Sequence, residues 1–267
     1  VAGMQAGPFA GGAVDPGQAA GSFVGIENYD WLSDDKVFWG SVFFTIFYTA
    51  IASVVKFGLG LYLALLLNKN LPFKALLRSI VLIPYIVPTV LSAIAFWWIY
   101  DSQFSIISWG LIKLGVIERN INFLGDPWNA RWCLIVANIW RGVPFVAITL
   151  LAGLQTVSPS LYEAATLDGA TNWQRFRFIV LPYVRSILVV LLILQVIWDL
   201  RVFAQIYALQ TVGGIRADTN TIGVYIYSVS MATGDLGSGG AISVLLVIIL
   251  LAISAYYIRT MLKEDES

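Results

Sequence analysis

The chain contains no histidine and a single cysteine, Cys133, among its 267 residues. Without histidine it lacks the commonest general base and the commonest zinc ligand, and no Ser-His or Cys-His pairing can form. A single cysteine excludes an intramolecular disulfide framework and a zinc site built from cysteines. The sequence also lacks the phosphate-binding pattern G-x-x-x-x-G-K-[ST]. These absences argue against an enzyme, and they imply that any energy from ATP must come through a separate chain.

Charged residues are scarce as well, because they make up 12% of the chain where a soluble domain carries roughly 25%. Hydrophobic residues make up 58%, the mean hydropathy is +0.79, and there are 10 Trp and 12 Tyr. This composition is typical of a polytopic membrane protein with aromatic side chains at the membrane interfaces. The formal net charge is zero, which gives no indication of a nucleic-acid partner.

Five apolar runs are long enough to cross a bilayer as helices, which takes about 20 residues. We therefore predict an all-α, polytopic transmembrane helical bundle. Pro84 and Pro88 fall near the start of the second run, where proline removes a backbone donor and kinks a helix. Residues 207–240 are polar and rich in Gly and Thr, which predicts a loop. The predicted spans are at about 40–67, 79–100, 132–154, 186–204 and 241–258.

Basic residues are concentrated on one side of the predicted spans. Segments 68–78, 158–185 and 259–267 hold eight bases and five acids, whereas the opposite side holds five bases and ten acids. Because cytoplasmic loops carry an excess of Lys and Arg, the first set of segments is predicted to face the cytoplasm. The membrane domain is then 37–262, with an extracytoplasmic N-terminal segment at 1–36 and a cytoplasmic tail at 263–267.

Residues 158–182 form a polar, charged island between the third and fourth predicted spans. The acidic turn at Glu163 favours a short helix, with Ser158 as its N-cap and Gly169 at its end. The island contains the spacing Glu-Ala-Ala, three residues, Gly, nine residues, Ile, one residue, Leu-Pro. This spacing resembles the EAA loop of binding-protein-dependent ABC importers, which belongs to their membrane-spanning permease subunit.

The resemblance implies a type I ABC importer permease in the plasma membrane of a bacterium or archaeon. The EAA loop of that family carries a coupling helix, which sits in a cleft of the ATPase subunit. The alternative is a surface helix between spans that binds no partner. The coupling residues implied for this chain are Glu163, Ala164, Ala165, Asp168, Gly169 and Arg175.

The same resemblance implies partners and a mechanism. The partners are a second permease subunit, two ATP-binding subunits, an extracytoplasmic solute-binding protein and membrane lipid. ATP and Mg²⁺ are held by the ATP-binding subunits, so no cofactor is expected in this chain. Closure of the ATP-binding subunits moves the coupling helices, and the two permeases alternate access to a central cavity.

A second stretch, FVGIENY at 23–29, is similar to the segment that follows the first span in sugar-type permeases. It implies the carbohydrate-uptake group of maltose/trehalose type, and a sugar such as a di- or oligosaccharide as the solute. It also implies a missing first span before Val1. An ordinary amphipathic segment beside the membrane is the alternative interpretation.

Polar residues inside the predicted third and fourth spans indicate a solute pathway. An ionisable group at membrane depth costs several kcal/mol and faces protein or a water-filled path. In the importer family, the helices before and after the EAA loop line the central cavity. A buried Arg141–Asp199 ion pair that only holds helices together is the alternative. The residues at the matching positions are Asn138, Arg141, Gln195, Trp198 and Asp199.

Three further alternatives stay open at this point. Lys56, in the middle of the first span, extends to the membrane surface or meets the other permease subunit. In the second alternative the solute is a different polar compound, such as a glycerophosphodiester or an oligopeptide, and Arg141 would bind its anionic group. In the third alternative the chain is a secondary transporter, in which Arg141 and Asp199 carry a coupling ion or a proton.

Overall fold

A computed structural model of the chain describes the backbone of residues 26–211 and 216–265. Within these ranges all regular secondary structure is helical, which confirms the all-α prediction. The predicted N-terminal segment lies outside the described residues up to residue 25. The predicted tail lies outside them at residues 266 and 267.

The first half of the chain contains two short helices, one long helix and a bent pair. These are α1 (Glu27–Asp34), α2 (Lys36–Leu67), α3 (Lys74–Ile86), α4 (Thr89–Tyr100) and α5 (Ile106–Lys113). The second half continues with α6 (Pro127–Leu154), α7 (Pro159–Leu167), α8 (Asn172–Arg175), a π-helical segment (Phe176–Val180), α9 (Leu181–Tyr183), α10 (Arg185–Leu200), α11 (Ala204–Thr211), α12 (Arg216–Thr219), α13 (Ile222–Tyr227), a second π-helical segment (Ser228–Ala232) and α14 (Leu236–Asp265).

Four helical stretches in the described ranges are long and apolar enough to cross a membrane, and the pair α3 and α4 makes up to five if it counts as one span. The four are Lys36–Leu67, Pro127–Leu154, Arg185–Thr211 and Leu236–Arg259. Together with the helical fold, they confirm a polytopic transmembrane bundle.

The second predicted span, 79–100, falls within the bent pair α3 and α4, and its prolines had predicted a kink there. Helices α3 and α4 meet at a bend of 89°. Pro88 restricts the residue before it to an extended conformation, and Val87 accordingly has φ −59° and ψ 130°. Pro84 lies inside α3, where the helix continues past it.

The prediction of a loop at 207–240 is wrong for the described residues of that range, 207–211 and 216–240. Helix α11 continues to residue 211, and α13 buries Val224 and Tyr225. The polar side chains satisfy one another, since Gln210 Nε2 donates to Thr219 Oγ1 at 3.0 Å and to Asn220 Oδ1 at 3.1 Å. Paired polar groups are compatible with burial, so polar composition alone did not indicate a loop here.

Buried apolar side chains form clusters at the two ends of the bundle. One cluster joins the C-terminal ends of α2 and α6 to the start of α10, through residues such as Leu67, Leu154 and Val184. A second cluster joins the N-terminal half of α2 to α4, α6 and α11. Segment 158–182 contributes Tyr162, Phe176 and Val180 to the first cluster, so it lies at the same end as the turn after α2.

Helices α2 and α6 pack closely where α2 has a glycine. A Cβ built at Gly60 would lie 2.8 Å from Val146 Cβ and 3.3 Å from the backbone nitrogen of Ala147. Gly58, two residues earlier in the same helix, has no such neighbour within 4 Å. The two glycines thus form a matched pair for testing the helix contact.

We expect Gly60→Ala to destabilise the protein by about 1–3 kcal/mol, because overpacking forces the two helices apart. Gly58→Ala should be neutral or slightly stabilising, because alanine is the better helix former. Thermal unfolding of the purified protein in detergent measures both changes. Equal unfolding temperatures for the two variants would show that α2 and α6 do not meet at Gly60.

Candidate functional site

A cavity of about 490 Å³ opens where the bent pair α3 and α4 faces α6, α10 and α11. The structure brings all five predicted pathway residues to its wall, together with Lys56 of α2. Its lining residues are Lys56, Tyr85, Thr89, Asn138, Arg141, Gly142, Gln195, Trp198, Asp199 and 201–205. The cavity therefore lies between helices that are far apart in the sequence.

The partner of Asp199 is Lys56, and not Arg141. Lys56 Nζ lies 2.6 Å from Asp199 Oδ2 and 2.7 Å from Oδ1. The ion pair is buried, with 1% of the Lys56 side chain exposed. The alternative of an Arg141–Asp199 pair is thus wrong. Both alternatives for Lys56 are also wrong, because its ammonium meets a carboxylate of its own chain.

Neighbouring side chains complete this ion pair. Asn138 Nδ2 donates to Asp199 Oδ1 at 2.9 Å, and Ser53 Oγ donates to Oδ2 at 3.4 Å. The third donor position of Lys56 reaches Gln195 Oε1 at 2.9 Å. A buried ion pair is stable only when its remaining polar groups are satisfied in this way. We call these five side chains the Lys56–Asp199 network.

Helix geometry explains why these side chains meet. Gln195 and Asp199 are four residues apart on α10 and share one face of it. On α6, Gly142 has no side chain, and a Cβ there would collide with the Lys56 stem. The glycine leaves room for the lysine to lie between α2 and α6. The pairing of Lys56 with Asp199 was not predicted. The signal that could have indicated it is that one basic and one acidic residue each fall inside a predicted span.

Arg141 lies at the cavity wall without an acidic partner. Neither of the ion pairs formed by residues 26–211 and 218–259 includes it, and its buried Nε has no hydrogen-bond partner. Its guanidinium carbon lies 6.0 Å from the centre of the Tyr85 ring, within the range of a cation–π contact. Arg141 is thus a cavity cation that the network does not neutralise.

Aromatic rings continue the same wall. The ring centres of Tyr85 and Phe145 are 5.3 Å apart, and those of Phe145 and Trp198 are 5.2 Å apart. Trp198 stays partly exposed at the cavity. The wall thus combines aromatic faces with amide and guanidinium donors, which suits a solute with polar groups around an apolar ring.

The polar island between α6 and α10 is ordered by its own backbone. Helix α7 ends at residue 167, and Gly169 follows in the left-handed conformation, with φ +72°. The N–H of Ala170 donates to the carbonyl of Ala165 at 2.9 Å, and the N–H of Gly169 donates to that of Thr166 at 3.1 Å. This is the Schellman C-cap, which confirms that Gly169 ends the helix.

The start of each island helix shows one difference from the prediction. Ser158 occupies the N-cap position of α7, but its hydroxyl contacts Ser160 Oγ at 2.7 Å and forms no capping bond. Helix α8 has the stronger cap, because Thr171 and Gln174 form a reciprocal capping box. This capping box was not predicted from the sequence.

The island presents polar and apolar side chains together at its surface. Glu163, Ala164 and Asp168 are exposed, and Ala165 and Arg175 are partly buried. Leu167 is 89% exposed and Trp173 is 66% exposed, and neither was predicted as a site residue. Exposed apolar groups beside a charged residue are typical of a docking surface. We call 159–175 the α7–α8 surface.

Several apolar spans around a partly charged internal cavity define the class: this is a multi-pass membrane transport protein. Residues 56–265 match the family described as binding-protein-dependent transport system inner membrane component, and the chain belongs to that family.

Two relatives and one structure illustrate the similarity. The chain is 39% identical over 237 residues to the trehalose/maltose transport system permease protein MalF of Thermococcus litoralis, covering 89% of this chain and 79% of that protein. It is 32% identical over 246 residues to the diacetylchitobiose uptake system permease protein DasB of Streptomyces coelicolor, covering 91% and 75%.

The crystal structure of a bacterial ABC transporter involved in the import of alginate contains a chain with the same fold. Its TM-score to this chain is 0.80 at 22% sequence identity, and the match covers 89% of this chain and 83% of that one. The family and the named relatives are transport components, which confirms that the chain is a permease subunit and not an enzyme.

Proposed function

We propose that this chain moves a sugar across the plasma membrane as one of two permease subunits of an ATP-driven importer. A solute-binding protein delivers the sugar from outside. One of two ATP-binding subunits, which hold ATP and Mg²⁺, docks on the α7–α8 surface from the cytoplasm. The observation that carries the proposal is this surface, because it is exposed and yet held in one shape by its own caps.

The packing of the island suggests how movement at that surface reaches the cavity. Tyr162 of α7 and Phe176 pack against a cluster that includes Leu154 of α6 and Leu191 of α10. Helices α6 and α10 also carry the network and the aromatic wall. A push on α7 is therefore transmitted to two helices that line the cavity.

A sugar is the solute that the cavity wall fits best. Amide donors, a guanidinium and aromatic faces suit a hydroxyl-bearing ring. The trehalose/maltose and diacetylchitobiose permeases point to the same class of solute. A glycerophosphodiester or an oligopeptide remains the second candidate within the family.

A secondary transporter is disfavoured by the Lys56–Asp199 network. Asp199 already accepts bonds from Lys56, Asn138 and Ser53, so its carboxylate has little room left for a coupling ion. Reconstitution separates the two possibilities. Reconstituted with the second permease, the ATP-binding subunits and the solute-binding protein, the chain should take up labelled sugar only with ATP. A secondary transporter would take up sugar alone under an ion gradient.

Glu163→Lys should reduce ATP-dependent uptake about tenfold or more, because the lysine reverses a charge on the docking surface. The matched control is Glu118→Lys, which makes the same change in the loop after α5, on the opposite side of the membrane. Uptake in proteoliposomes and co-purification of the ATP-binding subunits measure the effect. Normal uptake by Glu163→Lys, or an equal loss in both variants, would contradict docking at α7.

A further inference from the structure

The cavity carries more positive than negative charge. Among the described residues, three cations line it, namely Lys56, Arg141 and Arg201, and the single carboxylate is that of Asp199. The formal charge of the lining side chains is therefore positive by two. A cavity wall at membrane depth with this excess favours an anionic occupant.

The Lys56–Asp199 network shows where the excess charge resides. Lys56 directs all three of its donor positions to Gln195 and the two oxygens of Asp199. The carboxylate accepts further bonds from Asn138 and Ser53. Both charged groups are thus saturated and have little capacity left for a solute. The excess belongs to the two arginines.

Of the two arginines, Arg141 is the better placed to bind an anionic group in the cavity. Arg201 is exposed at the break between α10 and α11, so protein encloses it less than it encloses Arg141. Arg141 is partly buried, and its Nε is cut off from solvent and has no hydrogen-bond partner. An unsatisfied buried donor on a cation costs free energy until an acceptor arrives. A guanidinium has a planar fork of donors that matches two oxygens of one acidic group.

We propose that Arg141 binds an acidic group, a carboxylate or a sulfonate, on the transported sugar. This inference rests on the proposed function, because it takes the cavity as the place where the sugar is held. The Tyr85 ring lies beside the guanidinium, and the Trp198 ring lies on the same wall. The sugar ring then stacks on these aromatic faces while its acidic group meets Arg141.

The test is equilibrium binding to the complete importer complex in nanodiscs, measured by titration calorimetry without the solute-binding protein. The probes are digalacturonate for the carboxylate, a 6-sulfonated glucoside for the sulfonate, and maltose as the neutral sugar. The variants are Arg141→Gln and Arg141→Lys. Arg119→Gln makes the same change on an exposed loop and is the matched control.

The complex should bind at least one acidic probe more tightly than maltose. Arg141→Gln should weaken that binding about 10- to 100-fold, because a hydrogen-bonded charge is lost. Maltose binding should weaken much less, because a neutral sugar offers the guanidinium no charged group. Arg141→Lys keeps the charge without the fork, so it should lose only part of the affinity. It also tests the proposal if Arg141→Gln fails to assemble.

Several results would overturn the inference. Arg141→Gln with unchanged affinity for both acidic probes would do so, and so would a wild-type complex that prefers maltose to both. An equal loss for acidic and neutral probes would show that Arg141 only supports the fold. If the complex imports neutral sugars with ATP but binds no acidic probe, this inference alone fails. If it imports no sugar at all, the proposed function fails and the inference with it.

Discussion

Asp199→Ala should destabilise the protein by about 3–5 kcal/mol, because it leaves the Lys56 ammonium buried without its counter-charge. The ammonium lies within 2.7 Å of both carboxylate oxygens, and both side chains are almost fully buried. The measurement is the unfolding temperature of the purified complex, together with the fraction of chain that assembles.

The double variant Lys56→Met/Asp199→Ala should recover most of that loss. Removing both charges also removes the unpaired ion, so the effects of the two substitutions should be far from additive. The ion pair between Arg131 and Asp218, at 3.7 Å, is the control, because the Asp218 side chain is 48% exposed. Asp218→Ala should cost at most about 1 kcal/mol, because exposed pairs contribute little. A double variant as unstable as the sum of the single variants would show that the pair is not one unit.

Gly169→Val should almost abolish ATP-dependent uptake while the membrane helices still assemble. Valine disfavours the positive φ of this residue, at a cost of order 1–3 kcal/mol. The Schellman cap would open and the α7–α8 surface would lose its shape. Open space surrounds the missing Cβ, so the effect would come from the backbone and not from a steric collision.

Gly115→Val provides the matched control for this experiment. Gly115 has φ +70° and equally open surroundings, but it lies after α5, in a loop predicted to face the other side of the membrane. Both variants should lose similar stability in thermal unfolding. Only Gly169→Val should lose uptake and stimulation of nucleotide hydrolysis by loaded binding protein. A similar loss of uptake in both would refute a special role for the α7 cap.

Hydropathy and spacing were sufficient for the fold class and for the ends of the island helix. Apolar runs of membrane length admit few structures other than helices, because backbone groups must bond within the span. Gly169 was predictable as a helix end because other residues rarely adopt its conformation. These are local constraints, which a single sequence displays directly.

Pairings between distant helices could not be obtained in the same way. Arg141 was the partner considered for Asp199, because the sequence contains no measure of which helix packs beside α10. The choice of Lys56 depends on the α2–α6 contact, which Gly60 and Gly142 permit. The helices within 207–240 were missed for a related reason, because their polar groups satisfy one another only after folding.

The π-helical segment Phe176–Val180 determines how α10 is rotated about its axis relative to the α7–α8 surface, and therefore which side chains of α10 face the cavity. It accommodates one more residue per turn than an α-helix would, just before Pro182, whose missing N–H already interrupts the hydrogen-bond ladder. Deleting one residue here would rotate everything that follows by about 100°. Asp199 would then turn away from α2, so natural selection should tolerate changes of side chain in this segment more readily than changes of its length.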